Sequence, residues 1–110
     1  MLDFNFAEKF SKTPGPRYRK LGKYSGQEFR EDYLKEWFKK GIEVTIDAKG
    51  VVLSFGPSFL SESFGKIAED VGEEEFYKII HFKEDSDINK LFKRKVQEHV
   101  KRAIEKKAKS

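Results

Sequence analysis

Apolar residues recur along the chain with two different spacings, and these spacings divide it into six elements. Alternating apolar residues, or a dense run of aromatic and β-branched residues, are typical of strands. Three segments have such patterns: residues 2 to 6, extending towards Phe10, residues 42 to 47, and residues 76 to 82. The first alternates Leu2, Phe4 and Phe6 with polar or small residues. We therefore predict three buried or half-buried strands.

Apolar spacings of three and four residues predict amphipathic helices over residues 26 to 40, about 58 to 71 and about 85 to 107. The first helix has the clearest ends. Ser25 and Glu28 match a capping box, and Gly41 suits the position after the last turn. Ser86 and its two aspartate neighbours offer caps for the last helix.

Strand and helix alternate three times, which implies helices packed on a small, largely parallel or mixed sheet. Residues 47 to 53 leave one point open. They form either a hairpin with Gly50 in a left-handed conformation or a strand that continues towards the next helix. We predict an α/β fold, with a mixed sheet of about four strands and about three helices, in a single domain spanning residues 1 to 110.

Charge modifies this picture because it is distributed unevenly. Charged residues make up 38% of the chain, and its formal net charge is +4. Residues 1 to 82 hold 13 Lys and Arg against 14 Asp and Glu, whereas residues 83 to 110 hold 10 against 5. The pattern predicts a nearly neutral body that carries a basic C-terminal helix.

The chain contains no cysteine, so a disulfide framework and a thiolate zinc site are excluded. The N-terminal residues MLDFNF lack the basic and apolar regions of a secretory signal. The longest uncharged run, residues 50 to 61, is shorter than the roughly 20 apolar residues that span a bilayer. We expect a cytoplasmic protein without membrane contact.

The same uncharged run connects the second strand to the second helix. α/β folds usually bind ligands at such strand-to-helix corners. We predict that Ser58 caps the helix by accepting a hydrogen bond from a first-turn amide, and that the recognition surface lies around it. The predicted surface comprises Gly56, Pro57, Ser58, Phe59, Ser61 and Glu62.

A basic loop precedes Ser25 and is a candidate anion site. Its cations are Arg17, Arg19, Lys20 and Lys23, and its spacing matches neither a P-loop nor a dinucleotide fingerprint. Together with the basic C-terminal helix, the loop also suggests contact with nucleic acid, although aromatic residues for base stacking are nearly absent from that helix.

Catalytic residue types do not converge in this sequence. His81 lies in an apolar strand, His99 is expected to face solvent on the basic helix, and the run Glu73 to Glu75 does not point at one centre. We therefore predict no catalytic residues, no metal ligands, no cofactor and no enzymatic activity.

Five blocks of sequence carry a resemblance to a known family: Gly15-Pro16-Arg17, Ser25-Gly26 with Phe29-Arg30, Val44 to Asp47, Gly50-Val51 and, most specifically, Pro57 to Gly65. Together they resemble the STAS fold of anti-sigma-factor antagonists, and more closely a bacterial STAS-like family of unknown function. The resemblance spans roughly residues 15 to 82.

In the antagonists, the helix after the central strand begins with an Asp-Ser-Ser-Gly-Leu-like motif. Its first serine is phosphorylated by a kinase that is itself an anti-sigma factor. Ser58 stands at the matching position, but Pro57 replaces the aspartate, and Phe59 and Leu60 follow in place of Ser and Gly. The resemblance implies a regulatory or adaptor domain that acts through protein–protein contact, with Ser58 as a phosphosite and a kinase-like ATPase as partner.

Two alternatives remain open at this point. One is a nucleic-acid-associated protein that uses the loop of residues 17 to 23 and the C-terminal helix. The other is nucleotide or anion binding at the loop before Ser25.

Overall fold

The computed structural model describes residues 1–52 and 55–109, and within these ranges three strands form one sheet. The strands are β1 (Leu2–Asn5), β2 (Val44–Asp47) and β3 (Ile80–Phe82), in the spatial order β1-β2-β3. Both neighbouring pairs are parallel, and the register aligns Phe4 with Ile46. The α/β class is confirmed, but the described residues form a three-stranded parallel sheet instead of the predicted mixed sheet of four.

Within the same described residues, five helices accompany the sheet. Helices α2 and α3 each contain a central π-helical turn, and a short 3₁₀ turn (Arg19–Leu21) precedes α2. The helices are α1 (Phe6–Lys9), α2 (Gly26–Phe29, the π turn Arg30–Leu34, then Lys35–Lys40), α3 (Pro57–Leu60, the π turn Ser61–Gly65, then Lys66–Val71), α4 (Glu73–Ile79) and α5 (Asp87–Ala108).

The first predicted strand is shorter than expected. It ends at Asn5, whose side chain accepts a hydrogen bond from the Glu8 amide at 2.9 Å and so starts α1. Phe6 and Phe10 are both buried four residues apart, which is helical spacing. The alternation at the N-terminus therefore continues into a helical turn and not into a longer strand.

The third predicted strand is mostly helix. Residues 76 to 79 belong to α4, and only Ile80–Phe82 form β3. The carboxylates of Glu73, Glu74 and Glu75 lie in the first turn of α4, where the helix dipole favours negative charge. Phe76 is fully buried against Phe64. Local charge and tertiary packing therefore override the strand propensity of this segment.

The predicted ends of α2 and α5 are confirmed. The Ser25 hydroxyl accepts a hydrogen bond from the Glu28 amide at 3.0 Å, and Gly41 adopts a left-handed conformation after the last turn. The Glu28 carboxylate bonds to the Tyr24 amide, one residue earlier than a standard capping box requires. Ser86 caps α5.

The segment after β2 turns without forming a hairpin in the residues that the structure describes. Gly50 has a φ of +94°, and the Val51 amide bonds to the carbonyl of Ala48. The Val52 amide then bonds to the Lys12 carbonyl at 2.9 Å. Leu53, the end of the segment left open above, lies outside the described residues.

Both strand-to-strand connections cross the sheet in the same direction. Because such crossovers are right-handed, α2 and α3 pack on the same face. That face carries the fully buried Val44 and Ile46, whereas Thr45 and His81 face the other way and are half-buried. An aromatic cluster fills the space between sheet and helices, centred on Phe29, whose ring neighbours are Phe4, Phe6, Phe10, Tyr33, Trp37, Phe59 and Phe64.

Candidate functional site

Ser58 lies in the first turn of α3, but it does not cap the helix. Gly56 occupies the N-cap position with φ −70° and ψ 152°, Pro57 follows in the first turn, and no side chain forms a capping hydrogen bond. Proline favours this position because its ring fixes φ and it has no amide hydrogen to satisfy. The predicted capping role of Ser58 is therefore wrong, and its side chain is exposed to solvent.

The predicted recognition surface divides into exposed and buried residues. Pro57 and Ser58 are exposed, and Gly56 and Ser61 are partly exposed. Phe59 is fully buried in the aromatic cluster, and Glu62 is 7% exposed. Phe59 and Glu62 therefore support this surface from beneath and do not form its outer face.

Glu62 joins α3 to α2 and to the basic loop. Nη1 of Arg30 donates to the Glu62 carbonyl at 2.8 Å and to the Glu62 carboxylate. Nη1 of Arg17 lies 3.7 Å from the other carboxylate oxygen. The Arg30 and Glu62 side chains are only 11% and 9% exposed, so this is a nearly buried ion pair with Arg17 at its edge.

The four cations of the basic loop do not form one site. Arg17 lies beside Glu62, whereas Arg19 forms ion pairs with Glu31 at 2.9 Å and Asp32 at 2.7 Å. A side-chain hydrogen bond from Arg19 lowers the pKa of the Glu31 carboxyl. The ammonium of Lys20 lies 5.7 Å from the centre of the Tyr18 ring, and Lys23 is exposed.

The amides at the start of α2 are already occupied by the chain itself. The Gly26 amide bonds to the carbonyl of Pro16 at 2.9 Å, and the Gln27 amide bonds to that of Arg17 at 3.0 Å. The Glu28 amide bonds to the Ser25 hydroxyl. An anion at the loop before Ser25 would therefore have to displace existing hydrogen bonds.

A different arrangement brings Arg17 to Ser58. A surface cavity of about 250 Å³ lies between the start of α3, the basic loop and the last turns of α5. Arg17 and Ser58 line it together with His99, Arg102 and Lys106 from α5. From the sequence, His99 was expected to face solvent, and no proximity between α5 and Ser58 was predicted.

One sequence signal points to this face of α5. His99, Arg102 and Lys106 are spaced by three and four residues, so they project from one side of the helix. That side meets α3 at Gly65, where a methyl group on the glycine would lie 3.6 Å from the His99 carbonyl oxygen and 3.8 Å from Cβ of Ala103. The helices thus approach closely next to the cavity.

The cavity is electrostatically positive. Partial burial is the largest cause that lowers the pKa of His99, and the positive charges of Arg102 and Arg17 lower it further, while Glu98 raises it. A lowered pKa keeps the imidazole neutral near pH 7. The positive charges of Arg102 and Arg17 therefore act on the His99 imidazole.

The described residues contain neither a metal-binding cluster nor a membrane-spanning helix. Within residues 1–52 and 55–109, no group of three or more His, Asp or Glu side chains is arranged to hold a metal ion. In the same part of the chain, no helix combines the length and apolar character needed to cross a bilayer.

Three parallel strands with helices on one face, and an exposed serine in the first turn of the helix that follows β2, define a small α/β domain. A family model described as a STAS-like domain of unknown function matches residues 25–90, about three fifths of the chain. The chain belongs to this family, which confirms the family predicted from sequence. Searches among curated proteins and among solved structures found no match. Ser58 lies inside the matched residues, whereas Arg17, His99, Arg102 and Lys106 lie outside them.

Proposed function

We propose that this chain is a regulatory or adaptor domain that acts through protein–protein contact and not through catalysis. Its contact surface centres on Pro57, Ser58 and Ser61, and a kinase-like ATPase partner phosphorylates Ser58. The observation that carries this proposal is the exposed Ser58 side chain in the first turn of α3. Membership of the STAS-like family and the resemblance to anti-sigma-factor antagonists support it.

A phosphate on Ser58 would be tolerated by the folded domain. The start of a helix favours negative charge, and the cations Arg17 and Arg102 line the same cavity. The hydroxyl makes no capping hydrogen bond that phosphorylation would break. Modification would therefore change what docks on the surface without unfolding α3.

The nucleic-acid alternative receives less support from the geometry. The Arg19 charge is neutralised by Glu31 and Asp32, and Lys93 on α5 forms an ion pair with Glu84 at 3.0 Å. A continuous basic face with free phosphate-binding cations is the usual requirement. We therefore retain protein–protein contact as the proposed mode of action.

Affinity purification from the native host tests the proposal. Tagged wild-type protein is compared with Ser58→Ala and Ser58→Asp, and Gln97→Glu provides a control that adds one negative charge on an exposed part of α5. We expect at least one partner to co-purify equally with wild type and with Gln97→Glu. The recovery of that partner should change in Ser58→Asp. Identical partner sets for all four proteins, with no phosphate detected on Ser58 by mass spectrometry, would contradict the proposal.

A further inference from the structure

The cavity beside Ser58 has the size and charge of an anion site. Its volume is about 250 Å³, whereas one water occupies about 30 Å³ in the liquid, so a phosphate group fits with several waters. Three of its lining residues are basic, Arg17, Arg102 and Lys106, and one is acidic, Glu69. The excess of cations favours an anionic ligand.

The backbone of Arg17 is fixed by a hydrogen bond within the folded chain. Its carbonyl accepts a hydrogen bond from the Gln27 amide, which fixes the loop against α2. Its guanidinium contacts Glu62 only at 3.7 Å, and the closer partner of that carboxylate is Arg30. Arg17 therefore lies at the edge of the Arg30–Glu62 pair, with its side chain 36% exposed, and it also lines the cavity.

Arg102 lines the cavity from α5. Among the residues that the structure describes, no carboxylate forms an ion pair with Arg102, and its side chain is exposed. Guanidinium groups bind phosphate through paired N–H donors, and Lys106 lies one helical turn further along the same face. Two arginines from separate elements therefore face the same space.

His99 provides an internal reporter of this space. The charged groups that act on it are Arg17 from the loop and Arg102 and Glu98 from α5 itself, and Glu69 of α3 shares the cavity lining. The two arginines disfavour the imidazolium. An anion between them would reverse that effect and favour proton uptake by His99.

We propose that this cavity binds a phosphate group, with Arg17 and Arg102 as its principal ligands. The site goes beyond the proposed regulatory function. The phosphate belongs either to a free ligand or to Ser58 itself when that residue is phosphorylated.

Inorganic phosphate titrated into the full chain tests the proposal by NMR, at constant low ionic strength maintained with chloride. We expect saturable shifts of the His99 ring and of the Ser58 and Ala103 amides, together with a raised His99 pKa. Arg17→Gln and Arg102→Gln should each weaken binding about tenfold, because each removes a charged hydrogen-bond donor. The matched control is Arg94→Gln, which removes the same residue type from an exposed position of α5 outside the cavity.

A second arm identifies the source of the phosphate. Phosphoserine is incorporated at position 58 and observed by ³¹P NMR. If Ser58 supplies the anion, the second pKa of its phosphate falls below the ordinary value of about 6, free phosphate no longer binds, and the decrease in this pKa is smaller in Arg102→Gln. If a free ligand supplies it, inorganic phosphate still saturates the modified chain.

Either result of the second arm supports a phosphate site. The proposal is overturned if phosphate shifts in the wild type do not saturate and phosphoserine 58 titrates normally. It is also overturned if Arg94→Gln weakens binding as much as Arg102→Gln while all variants keep a dispersed amide spectrum. Failure of the partner experiment above would leave these outcomes unchanged, so the two proposals fail separately.

Discussion

Replacing Glu62 with glutamine tests the support beneath the proposed recognition surface. The substitution preserves shape and an oxygen acceptor but removes the negative charge that faces Arg30 and Arg17. The Arg30 guanidinium keeps its 2.8 Å hydrogen bond to the Glu62 carbonyl. It loses the carboxylate that compensates its charge in a position where only 11% of its side chain is exposed.

The expected cost follows from burial. Removing one partner of a buried ion pair costs about 3 to 5 kcal/mol, because the remaining charge stays desolvated. The Arg17 contact adds little, since it is 3.7 Å long and the Arg17 side chain is 36% exposed. The acceptor that glutamine retains places the prediction at the lower end. We expect Glu62→Gln to lower the free energy of unfolding by about 3 kcal/mol.

Urea denaturation followed by circular dichroism measures this loss as a lower midpoint with an unchanged slope. The control is Glu36→Gln, which removes an equally charged partner from the exposed pair with Lys40 and should leave the midpoint unchanged. In the double variant Glu62→Gln, Arg30→Gln, the loss should be smaller than the sum of the single losses. A loss below about 1 kcal/mol for Glu62→Gln would refute the role of a buried charge here.

Three further predictions concern packing, polar contacts and pH. Gly26→Ala should destabilise the domain by about 2 kcal/mol in urea, because its methyl group would lie 2.6 Å from the Phe59 carbonyl oxygen, whereas Gly56→Ala meets no atom within 4 Å and should cost less. Asn89→Ala should cost about 2 to 3 kcal/mol, since the buried Asn89 side chain accepts from the Ala48 amide and donates to two aspartates. His99 has a lowered pKa in the folded state, so the unfolded chain takes up this proton at a higher pH than the folded chain does. The stability that His99 contributes is therefore present above about pH 6.5 and is lost as the pH falls through the folded pKa. His99→Gln should therefore flatten the pH dependence of unfolding below about pH 6.5, and an unchanged slope there would contradict this environment.

Local signals in the sequence were sufficient for α2. Ser25 and Gly41 set its ends, and both act through contacts within a few residues. The same applies to Ser86 at the start of α5. Such capping residues lie next to the helix whose ends they set, so the sequence alone predicts them.

Other elements depended on distant contacts. The segment from Phe76 to Ile79 has the composition of a strand but forms helix, because Phe76 packs against Phe38 and Phe64 and acidic residues lead the helix. Similarly, Pro57 is the first residue of α3, so Gly56 occupies the N-cap position that was predicted for Ser58. Strand propensity and a serine near a helix start are weak guides where tertiary packing or proline sets the boundary.

The cavity could be anticipated only in part. The basic residues of α5 and the loop containing Arg17 were visible in the sequence, but their meeting depends on how α5 crosses α3 near Gly65. Residues that are more than 80 positions apart, such as Arg17 and Arg102, come together only through this crossing. The spacing of His99, Arg102 and Lys106 on one helical face was the available signal.

The partner comparison at Ser58 tests the central claim most directly. Protein purified from the native host is analysed for phosphate on Ser58, and its co-purifying proteins are compared among wild type, Ser58→Ala, Ser58→Asp and the control Gln97→Glu. We expect phosphate on Ser58 and a partner whose recovery differs between Ser58→Ala and Ser58→Asp but not between wild type and Gln97→Glu. An unmodified Ser58 with the same partners in all four samples would contradict it.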